Sequence, residues 1–273
     1  MAIARRSAHM NVMVEAAEKA GRSLVRDFGE VEQLQVSRKG PGNFVSTADH
    51  KAEKIIREVL QKARPKYGFL MEESGEVKGE DPAYRWVVDP LDGTMNFLHG
   101  IPHWCVSIAL EKDGDVVAGV IYDPVKDELF WAEKGLGAYL NNRRIQVSGR
   151  NSLAEAAIAL HHAAYDSVEG LGTLVKSGTI IRNMGSTCLD LAYVASGRLD
   201  AFCKSHISGG FWDVAAGIVL VREARGIATD AKMGKNFGTG GSLVAANGAL
   251  HKDIAMRVKT TGSTTSKAGA AAS

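Results

Sequence analysis

The stretch Trp86-Val87-Val88-Asp89-Pro90-Leu91-Asp92-Gly93-Thr94-Met95-Asn96-Phe97 constrains this chain more than any other. Its apolar start reads as a short buried strand, stopped at Asp89-Pro90 because proline has no N–H to offer a ladder. Two carboxylates stand three positions apart, and Gly93-Thr94 opens the next segment. Two hard anionic ligands thus sit on a rigid corner, beside a glycine whose bare backbone can approach a phosphate closely.

Other carboxylates recur where the chain should turn. Phe69-Leu70-Met71 reads as a short strand running into Glu72-Glu73-Ser74-Gly75, and strand ends are where an open α/β sheet presents its functional loops. Downstream, Gly209-Gly210-Phe211-Trp212-Asp213 introduces a helix over 214–224, with Gly226 past its end. A further helix carries Ala52, Ile55, Ile56, Val59 and Leu60 on one face and ends at Pro65; Ser46-x-x-Asp49 fits a capping box at its start.

The remaining pattern is mixed. Met10, Val14, Ala17, Leu24 and Val25 recur at helical spacing from about His9 to Phe28, with Gly29 as a stop. The apolar runs 104–110, 116–122 and 128–132 are separated by Asp113-Gly114 and Asp123-Pro124, which are hairpin signals. After an alanine-rich stretch to Leu160, Ile180-Ile181-Arg182 reads as a strand and Ser186 as the cap of a helix closed at Gly197. Strands follow over 199–203 and 242–246, and the Thr, Ser, Gly and Ala tail over 260–273 is expected to be disordered. Helices interleaved with hairpins indicate α+β or mixed α/β layers rather than a doubly wound parallel sheet. We expect one domain over 1–259, with an α+β half over about 8–150 and an α/β half over about 151–259.

Composition narrows the partners. Thirty-three Lys and Arg face 31 Asp and Glu, a net charge of +2 with no basic block, so nucleic acid and anionic membranes are not implied as primary partners. Three widely spaced cysteines suggest reduced thiols in a cytoplasmic protein. No apolar region follows Arg5-Arg6 to make a secretory signal, and the apolar run 214–221 is too short to cross a bilayer.

If Glu72, from a neighbouring strand end, and Asp213, from a helix start, join Asp89 and Asp92, the oxygen ligands converge on one point. Such a set suits Mg²⁺ or Mn²⁺, not zinc. Four carboxylates and a phosphate dianion sum to about −6, which two or three divalent ions would largely neutralise. Each piece has an ordinary reading taken singly: Asp-Pro and Asp-Gly are turn dipeptides, and Asp213 is a good N-cap. Only the joint occurrence is informative. Rival sites are weaker. His99 and His103 have Gly100 and Pro102 between or beside them, His161 and His162 would point apart, and 238–242 lacks the lysine of a P-loop.

Asp89-Pro90-Leu91-Asp92-Gly93-Thr94-x-Asn96-Phe97 closely resembles the signature of the inositol monophosphatase family. Glu72-Glu73-Ser74 and Trp212-Asp213-Val214-Ala215-Ala216-Gly217 match two further motifs in the right order, so the resemblance covers roughly residues 8–258. It implies a layered αβαβα sandwich of the inositol monophosphatase and fructose-1,6-bisphosphatase type, a homodimer, Mg²⁺ activation and lithium sensitivity. It further implies a phosphoric monoester hydrolase that uses metal-activated water, with inositol-1-phosphate as the default substrate. By matched position, Glu72, Asp89 and the Leu91 carbonyl would hold a first metal. Asp89, Asp92 and Asp213 would hold a second, and Glu72 would help hold a weaker third. Gly93 and Thr94 would offer backbone N–H groups to phosphate, with Asp49 paired to the Thr94 hydroxyl; Glu72, Thr94 and Asp49 form the catalytic set. Asp92, Gly93, Thr94, Ser186, Thr187, Lys204 and Asp213 are the expected substrate-side residues.

The chain departs from that family in one telling place. Members usually carry a glutamate shortly before the Trp-Asp pair, whereas this strand reads Phe202-Cys203-Lys204-Ser205-His206 and the loop on to Asp213 is longer. The ordinary reading leaves Lys204 in solvent. If it faces the pocket, it would favour a second phosphate, as in fructose-1,6-bisphosphate or adenosine 3′,5′-bisphosphate. A non-catalytic regulatory protein on the same fold is the reading of another class.

Overall fold

The computed structural model describes residues 5–30, 36–40, 43–160, 168–204, 206–207, 209–238 and 240–259. The tail over 260–273 and the pair His161-His162 lie outside them. Helix α1 (Ala8–Phe28) starts where the Ser7 hydroxyl accepts the Met10 N–H at 3.1 Å, and it buries Met10, Met13, Val14, Ala17 and Leu24. After the hairpin β1 (Val36–Gly40) and β2 (Asn43–Ser46), helix α2 (Thr47–Ala63) packs beside α1.

Eight strands follow: β3 (Tyr67–Met71), β4 (Gly75–Val77), β5 (Asp81–Asp92), β6 (Cys105–Lys112), β7 (Asp115–Asp123), β8 (Glu128–Glu133), β9 (Gly137–Leu140) and β10 (Arg143–Ile145). They form one sheet in the order β10-β9-β8-β7-β6-β5-β3-β4, in which β3 and β5 are parallel and the other pairs antiparallel. The expected hairpins are therefore present. A short helix α3 (Thr94–Leu98) leaves the end of β5.

The second half supplies β11 (Ala157–Leu160), α4 (Val168–Lys176), β12 (Ile180–Arg182), α5 (Thr187–Ala195), β13 (Ala201–Lys204), α6 (Ala215–Glu223), β14 (Ile227–Thr229), β15 (Leu243–Ala246) and α7 (His251–Lys259). Its sheet runs β12-β11-β13-β15-β14, parallel across the first three strands and antiparallel thereafter.

Layering follows from which faces are apolar. One face of the large sheet buries Trp86, Val88, Ile108 and Val120 against α1 and α2. Its other face, with Val87, Ala109 and Phe130, packs on α5 and α6, which in turn cover Phe202 and Ala245 of the small sheet. The far side of that sheet buries Ile158, Cys203 and Val244 beneath α4 and α7. The result is five layers, α-β-α-β-α, with α5 and α6 in the middle. These two helices are apolar on nearly every side, as a helix sandwiched between two sheets must be.

Two local expectations are corrected. Strand β5 does not stop at Asp89-Pro90 but continues to Asp92. Pairing with β6 shifts register between Asp89, opposite Ser107, and Asp92, opposite Cys105. The bulge absorbs Pro90, whose missing N–H costs nothing there. Asp213 is not the cap of α6 either. It lies in a single turn of 3₁₀ helix, Phe211–Asp213, and Val214 holds the cap position without a side-chain hydrogen bond. Its carboxylate is thereby free for another partner.

Candidate active site

The bulge at the end of β5 builds the floor of the site. The Asp89 carboxylate accepts the Leu91 N–H at 3.1 Å, and the Leu91 carbonyl accepts the Thr94 hydroxyl at 2.9 Å. Gly93 sits between them at φ 92°, ψ 31°, a left-handed conformation that a side chain would strain; an added Cβ would also lie 3.0 Å from the His103 carbonyl oxygen. The chain can therefore turn from strand to α3 only with glycine here, which leaves the Gly93–Thr94 backbone at the corner beside Asp92.

Glu72 arrives from the parallel neighbour. It follows β3, and its N–H donates to the Val88 carbonyl at 3.2 Å, so it leaves the sheet alongside Asp89. Burial, then the charges of Asp213 and Asp49, push the Glu72 carboxyl up to about 8. Burial and then Glu72, Asp92, Asp213 and Cys188 hold Asp89 well above the ordinary carboxylate range. Asp92 is raised to about 6 by burial and Asp213, against hydrogen bonds from Ser186 and Cys188 and the charge of Lys204. These shifts mean that Glu72, Asp89 and Asp92 feel one another and Asp213, so carboxylates from three separate stretches stand within reach of each other's charge. Asp49, buried on the first turn of α2, joins them through Glu72.

The sequence leaves several supporting groups unread. The Ser186 hydroxyl donates a short hydrogen bond to Asp92 Oδ2, and the Cys188 N–H donates to the same oxygen at 2.8 Å. Ser186 also accepts the Leu189 N–H at 3.2 Å, so one residue caps α5 and holds Asp92. Ser186 and Thr187 are both buried, and the Ser186 proton is committed within the protein. Glu53, one turn beyond Asp49, is buried and accepts the N–H groups of Glu73 at 2.9 Å and Ser74 at 3.4 Å, together with the Ser74 hydroxyl. It ties the Glu72 loop to α2. The signal for it was available: a charged residue falls on the apolar stripe that Ala52 and Ile56 define.

Lys204 contradicts the solvent-facing expectation. It is 1% exposed, and its Nζ lies 3.1 Å from Asp213 Oδ2. Alternation along β13 is the reason: Phe202 faces the middle helical layer, and so does the residue two positions on.

The donor set fits hard divalent cations. It is all oxygen and carboxylate-rich, and its raised carboxyls show negative charge that the side chains alone do not compensate. Among the described residues, the one group of three or more potential ligand atoms within 4.8 Å of one another is Asp92, Cys105 and Cys188. Burial pushes Cys105 up to about 12 and Cys188 well above its ordinary value, so these thiols stay protonated beneath the carboxylates. All three cysteines are free and buried. No helix among the described residues is long and apolar enough to cross a membrane.

Known proteins carry the same pattern. The profile of the inositol monophosphatase family matches residues 6–263. An inositol-1-monophosphatase of Mesorhizobium japonicum is 52% identical over 262 residues, which cover 93% of this chain and 97% of the relative. The Nus factor SuhB of Escherichia coli is 39% identical over 244 residues, covering 87% of this chain and 91% of that protein. The crystal structure of the extragenic suppressor protein suhB from Bartonella henselae superposes with a TM-score of 0.88 at 52% identity, over 93% of this chain and 99% of the other. The five-layer architecture, the ordered motifs and these matches agree: the chain belongs to the inositol monophosphatase family and is a phosphoric monoester hydrolase.

Proposed function

We propose that this hydrolase acts on a small phosphate monoester, with inositol-1-phosphate as its first substrate, and that Mg²⁺ is its cofactor. The observation that carries the reading is the convergence of Glu72, Asp89, Asp92 and Asp213 around the Gly93–Thr94 corner. Glu72, Asp89 and the Leu91 carbonyl would hold one ion; Asp89, Asp92 and Asp213 a second; Glu72 would assist a third. Mn²⁺ satisfies the same ligands. When bound, the ions lower the pKa of water and balance the charge on the phosphoryl oxygens.

The protein's own groups do the rest. Backbone N–H groups at Gly93 and Thr94 receive phosphate oxygens at the positive end of a helical turn. Ionised once the cations are bound, Glu72 would take a proton from an attacking water. Asp49 and Thr94 orient that water, while the Thr94 hydroxyl also fixes the Leu91 carbonyl. The Ser186 hydroxyl and the Cys188 N–H hold Asp92 in place. Asp213, with Lys204, borders the alcohol side of the ester.

A second phosphate on the substrate would require Lys204 to leave Asp213. The test is therefore a phosphate-release assay with inositol-1-phosphate, fructose-1,6-bisphosphate and adenosine 3′,5′-bisphosphate, each with and without Mg²⁺ and with lithium added. We expect Mg²⁺-dependent, lithium-sensitive release, fastest from the monophosphate. Faster release from a bisphosphate would move the substrate assignment to that class. No release from any ester would instead favour a regulatory role. The reading also carries a homodimer in the cytoplasm, which light scattering on the purified protein checks for its dimeric part.

A further inference from the structure

Lys204 stands nearest the acid that the family resemblance leads one to expect, and the residue is not at the surface. A lysine 1% exposed is sustained only by a partner, because burying an unpaired ammonium is among the costliest acts in folding. Here the partner is Asp213 Oδ2 at 3.1 Å, a carboxylate that the proposed function gives to the second ion. The ammonium also acts on Asp92, the other carboxylate assigned to that ion alone. Gly209 lies so close to the Asp213 carboxylate that a Cβ there would collide with Oδ2 and stand 3.0 Å from Oδ1. A side chain at position 209 would therefore displace that carboxylate.

We infer that Lys204 is a built-in counter-ion of the metal site: its ammonium stands on Asp213 in competition with the second divalent cation, which must displace it to bind. Four carboxylates and one ammonium leave a net of three negative charges, against four if the lysine were absent. The first ion, held by Glu72, Asp89 and the Leu91 carbonyl, loses little from this. The second loses a ligand oxygen and gains a like-charged neighbour. A wide separation between the affinities of the two ions follows, and it is a property of this chain's lysine rather than of the carboxylates. The inference rests on the proposed role of Asp213 as a metal ligand.

The test is Mn²⁺ binding to the full chain without substrate, followed by the electron paramagnetic resonance signal of free Mn²⁺. The proteins are wild type, Lys204→Met, Lys204→Gln and Lys204→Arg. Methionine keeps the bulk of the stem, glutamine keeps a donor for Asp213 without charge, and arginine keeps the charge. We expect the weaker class of site to tighten about tenfold or more in the methionine and glutamine variants, as removal of a like charge at contact distance would give. The arginine variant should follow wild type, and the tighter class should change far less in all. If methionine destabilises the fold, the glutamine and arginine isotherms decide the matter alone. Identical isotherms in wild type and both neutral variants overturn the inference while leaving the metal reading intact. Absence of Mn²⁺ uptake in every protein overturns both.

Discussion

The two sides of the site handle negative charge in opposite ways. On the β3–β5 side, Glu72 and Asp89 crowd together with no cation beside them among the described residues, and both carboxyls rise well above their ordinary values. On the β13–α6 side, Asp213 carries its own ammonium at 3.1 Å. Asp92 stands between, with a hydroxyl and a backbone N–H on one oxygen and the field of Lys204 behind it. The first side is left unsatisfied and can be relieved only by a cation or a proton. The second is satisfied already. On the proposed reading, an ion arriving from solvent would meet a strong half and a weak half, and the weak half would border the alcohol of the substrate.

The largest perturbation should come from the residue that stands between the halves. Asp92→Asn keeps an oxygen for Ser186 and Cys188, so the fold should survive, with an unchanged circular dichroism spectrum. The charge needed by the second ion is gone, and turnover should fall by roughly a thousandfold or more, the scale expected when a metal-dependent clamp on the phosphoryl group is lost. Near-wild-type turnover by this variant would remove Asp92 from the metal set.

How much of this was readable from the chain divides along the same line. The β5 corner was legible because its chemistry is contiguous: Asp89, Pro90, Leu91, Asp92 and Gly93 are neighbours in sequence as well as in space. The hairpins were legible for a similar reason, each turn lying between two apolar runs. The Lys204–Asp213 contact was not. Its two residues are separated by a loop, and only the alternation of β13 turns Lys204 inward. Even then Phe202 had to be assigned to the middle layer first. Proline misled in the other direction, since a bulge lets a strand pass through a residue that ordinarily ends one. Asp213 misled because an acid before a helix is usually its cap, whereas the extra turn Phe211–Asp213 removes it from that duty.

Smaller effects separate the supports of the two halves. Ser186→Ala deletes the hydroxyl bonded to Asp92 while leaving the Cys188 N–H in place. Mg²⁺-dependent kcat/KM should drop toward the upper part of the roughly 10- to 100-fold range typical of groups that orient a metal ligand. Glu53→Gln acts one step further away, on the Glu73–Ser74 backbone that carries Glu72. Its loss should be nearer tenfold. If Glu53→Gln proves the more damaging of the two, the Glu72 loop rather than Asp92 is the sensitive part of the site.

The smallest effect concerns stability, and its sign follows from the unsatisfied half. Glu72 is raised from 4.5 to about 8 in the metal-free fold. Between those values the folded chain keeps a proton that the unfolded chain has released, so stability is lost as pH rises through that window. Asp92, raised from 3.8 to about 6, contributes in the same direction at lower pH. Buried His103, lowered to about 4, with His9 and His251 also lowered, works oppositely, chiefly below the ordinary histidine value of 6.5. From pH 6.5 to 8 the histidines finish losing their protons in the unfolded chain and offset part of the loss, but the carboxyl effect is the larger. The melting temperature of EDTA-treated protein should fall across that range, with about 2–4 °C for each kcal/mol lost. Saturating Mg²⁺ should flatten the slope, because bound cations favour the ionised carboxylates. Glu72→Gln should flatten it without metal, and a metal-free wild type whose melting temperature stays level from pH 6.5 to 8 would show that the Glu72–Asp89 half is not strained by its charge.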